Sequence, residues 1–314
     1  MSDFLFSLNA TMPVFLLILL GWCLGRTGML TEEFIRVSNK FVFQVTMPAL
    51  LFKDIATADI NDVFDIRFLL FCMISTTVGF FGIWGAARLF LKDRTMVGAF
   101  VQGSFRGSAA ILGIAFIQNM YGNSGMAPLM IIGAVPLFNI FSVIVLTVEG
   151  NCENRNGIKT ACFNILKNPI ILGILAGIAG SLLHIYKYLP TIIEKPITNL
   201  GTIASPLALL TIGAGFKSGE VLKKAKPTIA AAFIKLIGLP LVFMPIAIWL
   251  GFREHDLIAF LIMLAAPTTV TSYIMAANMD NDDVLASGIV VLSTLLSAVT
   301  LTAWIYVLRV MGMV

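Results

Sequence analysis

The chain has 314 residues, 58% of them hydrophobic, with a mean hydropathy of +0.94. Only 12% are Asp, Glu, Lys or Arg, about half the share usual for a soluble domain, so a water-facing globule is excluded and lipid is the expected solvent. The net charge of +4 needs no nucleic-acid partner, because the basic residues sit in short loops rather than along one face.

The first apolar run follows Asp3 with no basic residue before it, the pattern of a spanning helix rather than a cleaved signal peptide. From there the apolar runs predict spans over 4–25, 35–52, 66–91, 95–119, 124–148, 168–189, 196–216, 227–251, 256–278 and 283–310. In lipid these must be helices, since every backbone polar group needs an internal partner. The expectation is an all-α integral membrane protein of ten transmembrane helices. The longest loop, 150–167, reads as a cytoplasmic connector between two halves, 1–149 and 168–314.

Cys23 and Cys72 fall in apolar runs, and Cys152 and Cys162 share the connector without CxxC spacing, which gives little reason for a disulfide. His184 and His255 are isolated, so neither a metal site nor a cofactor is expected. Thirteen Lys and Arg lie in or beside the loops after spans one, three, five, seven and nine, against six on the other side. The positive-inside rule then places both termini, outside the cytoplasm, on the far face of a cell membrane.

The halves repeat each other. Met47-Pro48-Ala49-Leu50-Leu51 in span two matches Ser205-Pro206-Leu207-Ala208-Leu209-Leu210 in span seven. Ala99-Phe100 and Asn119-Met120 bracket span four as Ala259-Phe260 and Asn278-Met279 bracket span nine. The offsets are 158, 160 and 159 residues. Five spans is an odd number, so the second copy enters the membrane from the opposite side, giving a five-plus-five inverted repeat of the kind secondary transporters use.

Spans four and nine are interrupted at matching places, by Gly103-Ser104-Phe105-Arg106-Gly107-Ser108 and by Ala266-Pro267-Thr268-Thr269 followed by Thr271 and Ser272. Glycine and proline weaken a helix and the hydroxyls satisfy freed backbone groups. Two crossing broken helices would leave positive half-helix N-termini near the midplane, suited to an anion. By these spans all acidic residues fall in or next to loops, and only Arg106 and Lys235 lie deep. Lys235 is nine residues past Lys226, about 14 Å along a helix. Buried cations lacking an acidic partner are costly, and a substrate carboxylate would supply one. The alternatives are that Arg106 snorkels or bonds carbonyls and that Lys235 is a structural group at the breaks.

Asn168-Pro169-Ile170-Ile171-Leu172-Gly173, the Ser205–Leu209 run with Gly213, and Ala266-Pro267-Thr268-Thr269-Val270-Thr271-Ser272-Tyr273 resemble the auxin efflux carrier family, which includes bacterial malonate and malate permeases. Asn39, Pro48 and Phe105-Arg106-Gly107 carry the likeness in the first half. The resemblance implies a fold similar to bile acid symporters and sodium/proton antiporters, with spans one, two, six and seven as a scaffold, usually dimeric, and spans three to five and eight to ten as a moving transport domain. It implies a structural or coupling role for Lys235. The chain departs from the family where Ser108 stands after Arg-Gly in place of the usual Asn, and where Gly113-Ile114-Ala115 replaces Gly-x-Pro.

The reading is therefore a carrier, not an enzyme, for a mono- or dicarboxylate that binds Arg106, Ser104, Gly107, Ser108, Pro267, Thr268, Thr269, Thr271 and Ser272, with Lys235, Pro48 and Pro206 structural or coupling. An elevator movement of one bundle past the other and a homodimer in the bilayer complete it. A sodium- or proton-coupled carrier of bile-acid or cation type on the same fold is the alternative. A membrane enzyme or sensor lacks support, for want of a buried His or acid cluster and of a soluble output domain.

Overall fold

The computed structural model describes residues 2–57, 65–109, 126–150, 166–183 and 185–314. The second half of span four, Cys152, Cys162 and His184 lie outside the described residues. Among the described residues the chain is helical throughout, with no strand. In order come α1 (Ser2–Arg26), α2 (Glu32–Phe41), a π turn (Val42–Thr46) and α3 (Met47–Ala56). After these follow α4 (Ile66–Phe90), α5 (Val97–Phe105), α6 (Ala127–Glu149) and α7 (Pro169–Leu182). The chain continues through α8 (Ile185–Tyr188), α9 (Thr191–Ala214), α10 (Ser218–Lys223) and α11 (Ala225–Phe233). A second π turn (Ile234–Gly238) leads to α12 (Leu239–Trp249), α13 (Glu254–Ala265), α14 (Thr271–Asn278) and α15 (Asp283–Val310).

Among the described residues five helices are long and apolar enough to cross a membrane: Ile66–Phe90, Leu129–Glu149, Thr191–Ala214, Ala225–Trp249 and Asp283–Val310. Their outer faces carry large apolar side chains in contact with solvent space, among them Phe90, Ile192 and Trp249. A surface of that kind is stable only against hydrocarbon. The chain is a multi-pass membrane protein.

Polar residues at the membrane ends start the helices. Thr31 accepts the amide of Phe34 ahead of α2, Asp65 accepts those of Arg67 and Phe68 ahead of α4, and Asp282 accepts that of Leu285 ahead of α15. Prolines inside the membrane need a different remedy. Pro240 has no N–H to give to Leu236 four residues back, and the freed Leu236 carbonyl accepts the Trp304 indole N–H at 3.0 Å.

Two sets of helices pack largely within themselves, and α1 of the first also lies against α15 of the second. In one, α1 lies along α9, while α3 lies along α7 and α9. Gly21 and Gly213 let α1 and α9 approach until a Cβ on either would strike the other's backbone. In the other set α4 packs on α5 and α6, α11 on α15, and α12 on α13. Phe80, Phe105, Phe138 and Phe141 pack ring to ring, with Phe80 and Phe141 stacked at 4.5 Å and Phe80 and Phe105 edge-on at 5.0 Å. That aromatic cluster braces the end of α5, where the chain leaves the helix.

Candidate functional site

The chain leaves helical geometry at two places 160 residues apart. Arg106, just after α5, is extended at φ −81°, ψ 131°, and Ala266, just after α13, at φ −60°, ψ 145°. Ala266 precedes Pro267, whose ring pushes the preceding residue out of the α region and which donates no N–H. The two extended segments bind each other. The Ser108 amide donates to the Pro267 carbonyl at 2.9 Å, and the Thr268 hydroxyl donates to the Gly103 carbonyl at 2.5 Å. The Thr268 amide donates to the Ser293 hydroxyl at 3.1 Å. Each interruption thus supplies partners for backbone groups that the other set free.

The two deep cations sit on different sides of this crossing. Lys235 is fully buried, and its ammonium donates to the Phe105 carbonyl at 3.2 Å and the Met263 carbonyl at 3.1 Å. Those carbonyls belong to the C-terminal ends of α5 and α13, each worth about half a negative charge, so one ammonium matches two helix ends. It also lies 5.6 Å from the centre of the Phe138 ring. A Cβ on Gly107 would come within 2.8 Å of the Lys235 nitrogen, so only glycine fits between the ammonium and the cavity beyond it.

Arg106 is 4% exposed. Its guanidinium donates to Asn139 Oδ1 and to Thr271 Oγ1, both at 2.8 Å, and contacts the Met275 sulfur. Among the described residues no carboxylate forms an ion pair with it. Thr271 is the first residue of α14, so a positive helix end and a guanidinium converge. They meet at a cavity of about 60 Å³ whose polar lining is Asp54, Arg106, Ser108, Asn139, Ser205, Thr269 and Thr271, with Gly107 and an apolar wall formed partly by Met47, Leu51 and Phe138.

The sequence-predicted residues divide accordingly. Arg106, Gly107, Ser108, Thr269 and Thr271 line the cavity. Thr268 and Pro267 hold the crossing together through the Gly103 and Ser108 backbone, while the Ser104 hydroxyl donates to the Phe100 carbonyl within α5. Ser272 is buried, with no partner for its hydroxyl among the described residues. Pro48 packs against Gly173 of α7, while Pro206 is exposed on α9. Lys235 bonds backbone and does not line the cavity.

Asp54 was missed: α3 runs on to Ala56, past the predicted end of span two at 52, and this carboxylate, in the last turn of the helix and still next to a loop, stands in the cavity wall. Asn139 was also missed. It is 1% exposed in the middle of α6, and a lone amide in so apolar a run was the available signal.

The comparisons with known proteins agree with this architecture. A family model described as membrane transport protein matches residues 6–157 and 155–305. An "Uncharacterized transporter" of Methanothermobacter thermautotrophicus is 25% identical over 310 residues, covering 97% of this chain and 99% of its own length. The "Uncharacterized transporter YfdV" of Escherichia coli is 24% identical over 320 residues, with 98% and 99% covered. A "Putative malonate transporter" of Rhizobium meliloti is 25% identical over 306 residues, with 95% and 94% covered. With the family model spanning nearly the whole chain, the protein belongs to the membrane transport protein family, that of the auxin efflux carriers.

Proposed function

We propose that this chain carries a small organic anion, a mono- or dicarboxylate, across a cell membrane. The observation that supports this most directly is the convergence of the Arg106 guanidinium and the N-terminus of α14 on one cavity. Positive charge gathered in a low-dielectric interior attracts an anion. The similarity to a relative whose name specifies malonate agrees with a short dicarboxylate.

In this reading ten spans form the five-plus-five inverted repeat, with both termini outside the cytoplasm, as in a bacterial inner-membrane carrier. The set built on α1, α3, α7 and α9 is the scaffold and dimer face. The set holding α4, α5, α6 and α11–α15 moves with the anion. Two features support that division: the helices pack largely in two sets, with α1 against α15 as the main seam between them, and the cavity has Met47, Asp54 and Ser205 from one set opposite Arg106, Asn139 and Thr271 from the other. The test is uptake of labelled malonate into proteoliposomes. Uptake that saturates and is lost in Arg106→Ala is expected, and equal uptake by both proteins would overturn the reading.

A further inference from the structure

Asp54 has no place in an account built on cations alone. It sits in the wall of the same cavity as Arg106, and that cavity is small, about 60 Å³. A carboxylate ligand on Arg106 would therefore share a confined site with a second carboxylate. Two carboxylates sharing one site do not both stay ionised, and a proton binds to relieve the repulsion.

The surrounding charges leave Asp54 as the group that responds. From the elements packed against α3, neither α7 nor the π turn Val42–Thr46 carries a titratable side chain. On α9 the titratable groups are Glu194 and Lys195 in its first turns. Glu194 is 11 residues before Ser205, about 16 Å along the axis. Lys53 is the chain neighbour of Asp54, and Arg106 shares the cavity wall. Among the described residues of α6 the ionisable group is Glu149, at the far end and paired with Arg88. Tyr273 on α14 is engaged by Asn39, and the Lys235 charge is matched by two helix C-termini behind Gly107. The empty cavity then holds one cation and one anion, and an entering anion upsets that balance.

We propose that Asp54 takes up a proton when an anion binds Arg106, so that its neutral carboxyl donates an O–H to the ligand and one proton enters the site with each anion. The proton comes from bulk water, binds a carboxylate oxygen, and leaves by the same oxygen when the anion departs; no covalent bond of the ligand changes. The arrangement selects an anion with a carboxylate for Arg106 and a second oxygen acceptor for Asp54, as a short dicarboxylate has. This inference rests on the anion-carrier reading above.

The experiment is malonate binding to the purified protein at pH 8, where malonate is fully ionised, by calorimetry in two buffers of different ionisation enthalpy. Uptake of about one proton per malonate is expected, with the Kd weakening about tenfold for each further pH unit. Asp54→Asn should bind malonate without proton uptake and with a flat pH profile. No uptake by the natural protein, or undiminished uptake by Asp54→Asn, overturns the proposal. If Asp54→Asn does not fold, Asp54→Glu decides: its pH midpoint should move, and an unmoved midpoint counts against Asp54. Malonate binding unchanged in Arg106→Ala, or absent from the natural protein, is a different failure, that of the anion site itself.

Discussion

Arg106 and Lys235 are both buried cations at one helix crossing, yet their surroundings differ in kind. Lys235 is held by two backbone carbonyls at the ends of two helices. Arg106 has an amide oxygen, a hydroxyl and a thioether. The first set carries nearly a full compensating charge; the second carries none. A buried cation whose partners cancel its charge holds a fold together, and one whose partners only orient it is left to attract a ligand. The contrast makes opposite demands on the two side chains, and substitution separates them.

The largest effect should come from Lys235→Ala. It removes two charge-assisted hydrogen bonds, each worth about 1.5–3 kcal/mol, and leaves the ends of α5 and α13 without a cap. A loss of roughly 3–6 kcal/mol of stability is expected, read as a large fall in thermal midpoint in detergent. Lys235→Met refills the volume but not the charge, so it should recover little. A Lys235→Ala protein of normal stability that no longer binds malonate would reverse the assignment of the two cations.

Arg106→Ala should do the converse, weakening malonate binding about ten- to a hundredfold, equivalent to roughly 1.5–3 kcal/mol. Arg106→Lys keeps the charge but loses the planar fork that grips a carboxylate with two bonds, so it should fall between. A titration of folded Arg106→Ala with an unchanged Kd would leave only the end of α14 and the hydroxyls to attract the anion.

Much of this crossing was legible in the sequence. Pro267 and the Gly103–Ser108 stretch announced their breaks, because they interrupt apolar runs at matching places in the two halves. The depth of Lys235 followed from counting nine residues past Lys226. What the sequence did not carry was the assignment of partners. Which carbonyls meet Lys235 depends on how the ends of α5 and α13 pack on the π turn that carries it, 130 and 28 residues away in the chain. Asp54 was hidden for another reason. Lys53 and Asp54 look like the polar end of a span, and only the continuation of α3 to Ala56 turns the carboxylate inward to the cavity wall. The crossing of α1 and α9 at Gly21 and Gly213 was equally silent, since glycine in a membrane helix has no fixed meaning until its neighbour is known.

Gly107 separates the two cations, so Gly107→Ala probes both at once. The added methyl would lie 2.8 Å from the Lys235 nitrogen, 3.0 Å from its Cε and 3.3 Å from the Ala266 carbonyl oxygen. The ammonium is fixed by its two carbonyls and cannot retreat freely. Overpacking of this kind costs roughly 1–3 kcal/mol. Both thermal stability and malonate affinity should fall, unlike either cation variant. A protein as stable as the natural one would show that the crossing is looser than its contacts imply.

The smallest effect should lie away from the cavity, where α2, which packs on α9 of the first set, meets α14 of the second. The Asn39 side-chain amide donates to the Tyr273 hydroxyl, and the Asn278 amide donates to the Asn39 carbonyl, both at 3.3 Å. These are long bonds, and each is worth about 0.5–1.5 kcal/mol. Their position gives them a specific consequence. If the two sets move past each other, contacts of this kind exist in one state of the carrier and are broken in the other, so their loss shifts the balance between states without touching the ligand. Tyr273→Phe removes the hydroxyl and keeps the ring, which is 5% exposed and packed in the core. It should move the population of this state by about two- to tenfold while leaving the intrinsic grip of Arg106 on an anion intact. Spin labels on α2 and α14, with their distance distribution measured with and without malonate, read that shift directly. A distribution identical in Tyr273→Phe and the natural protein would mean that this contact does not distinguish the states, and the boundary between fixed and moving helices would have to be drawn elsewhere.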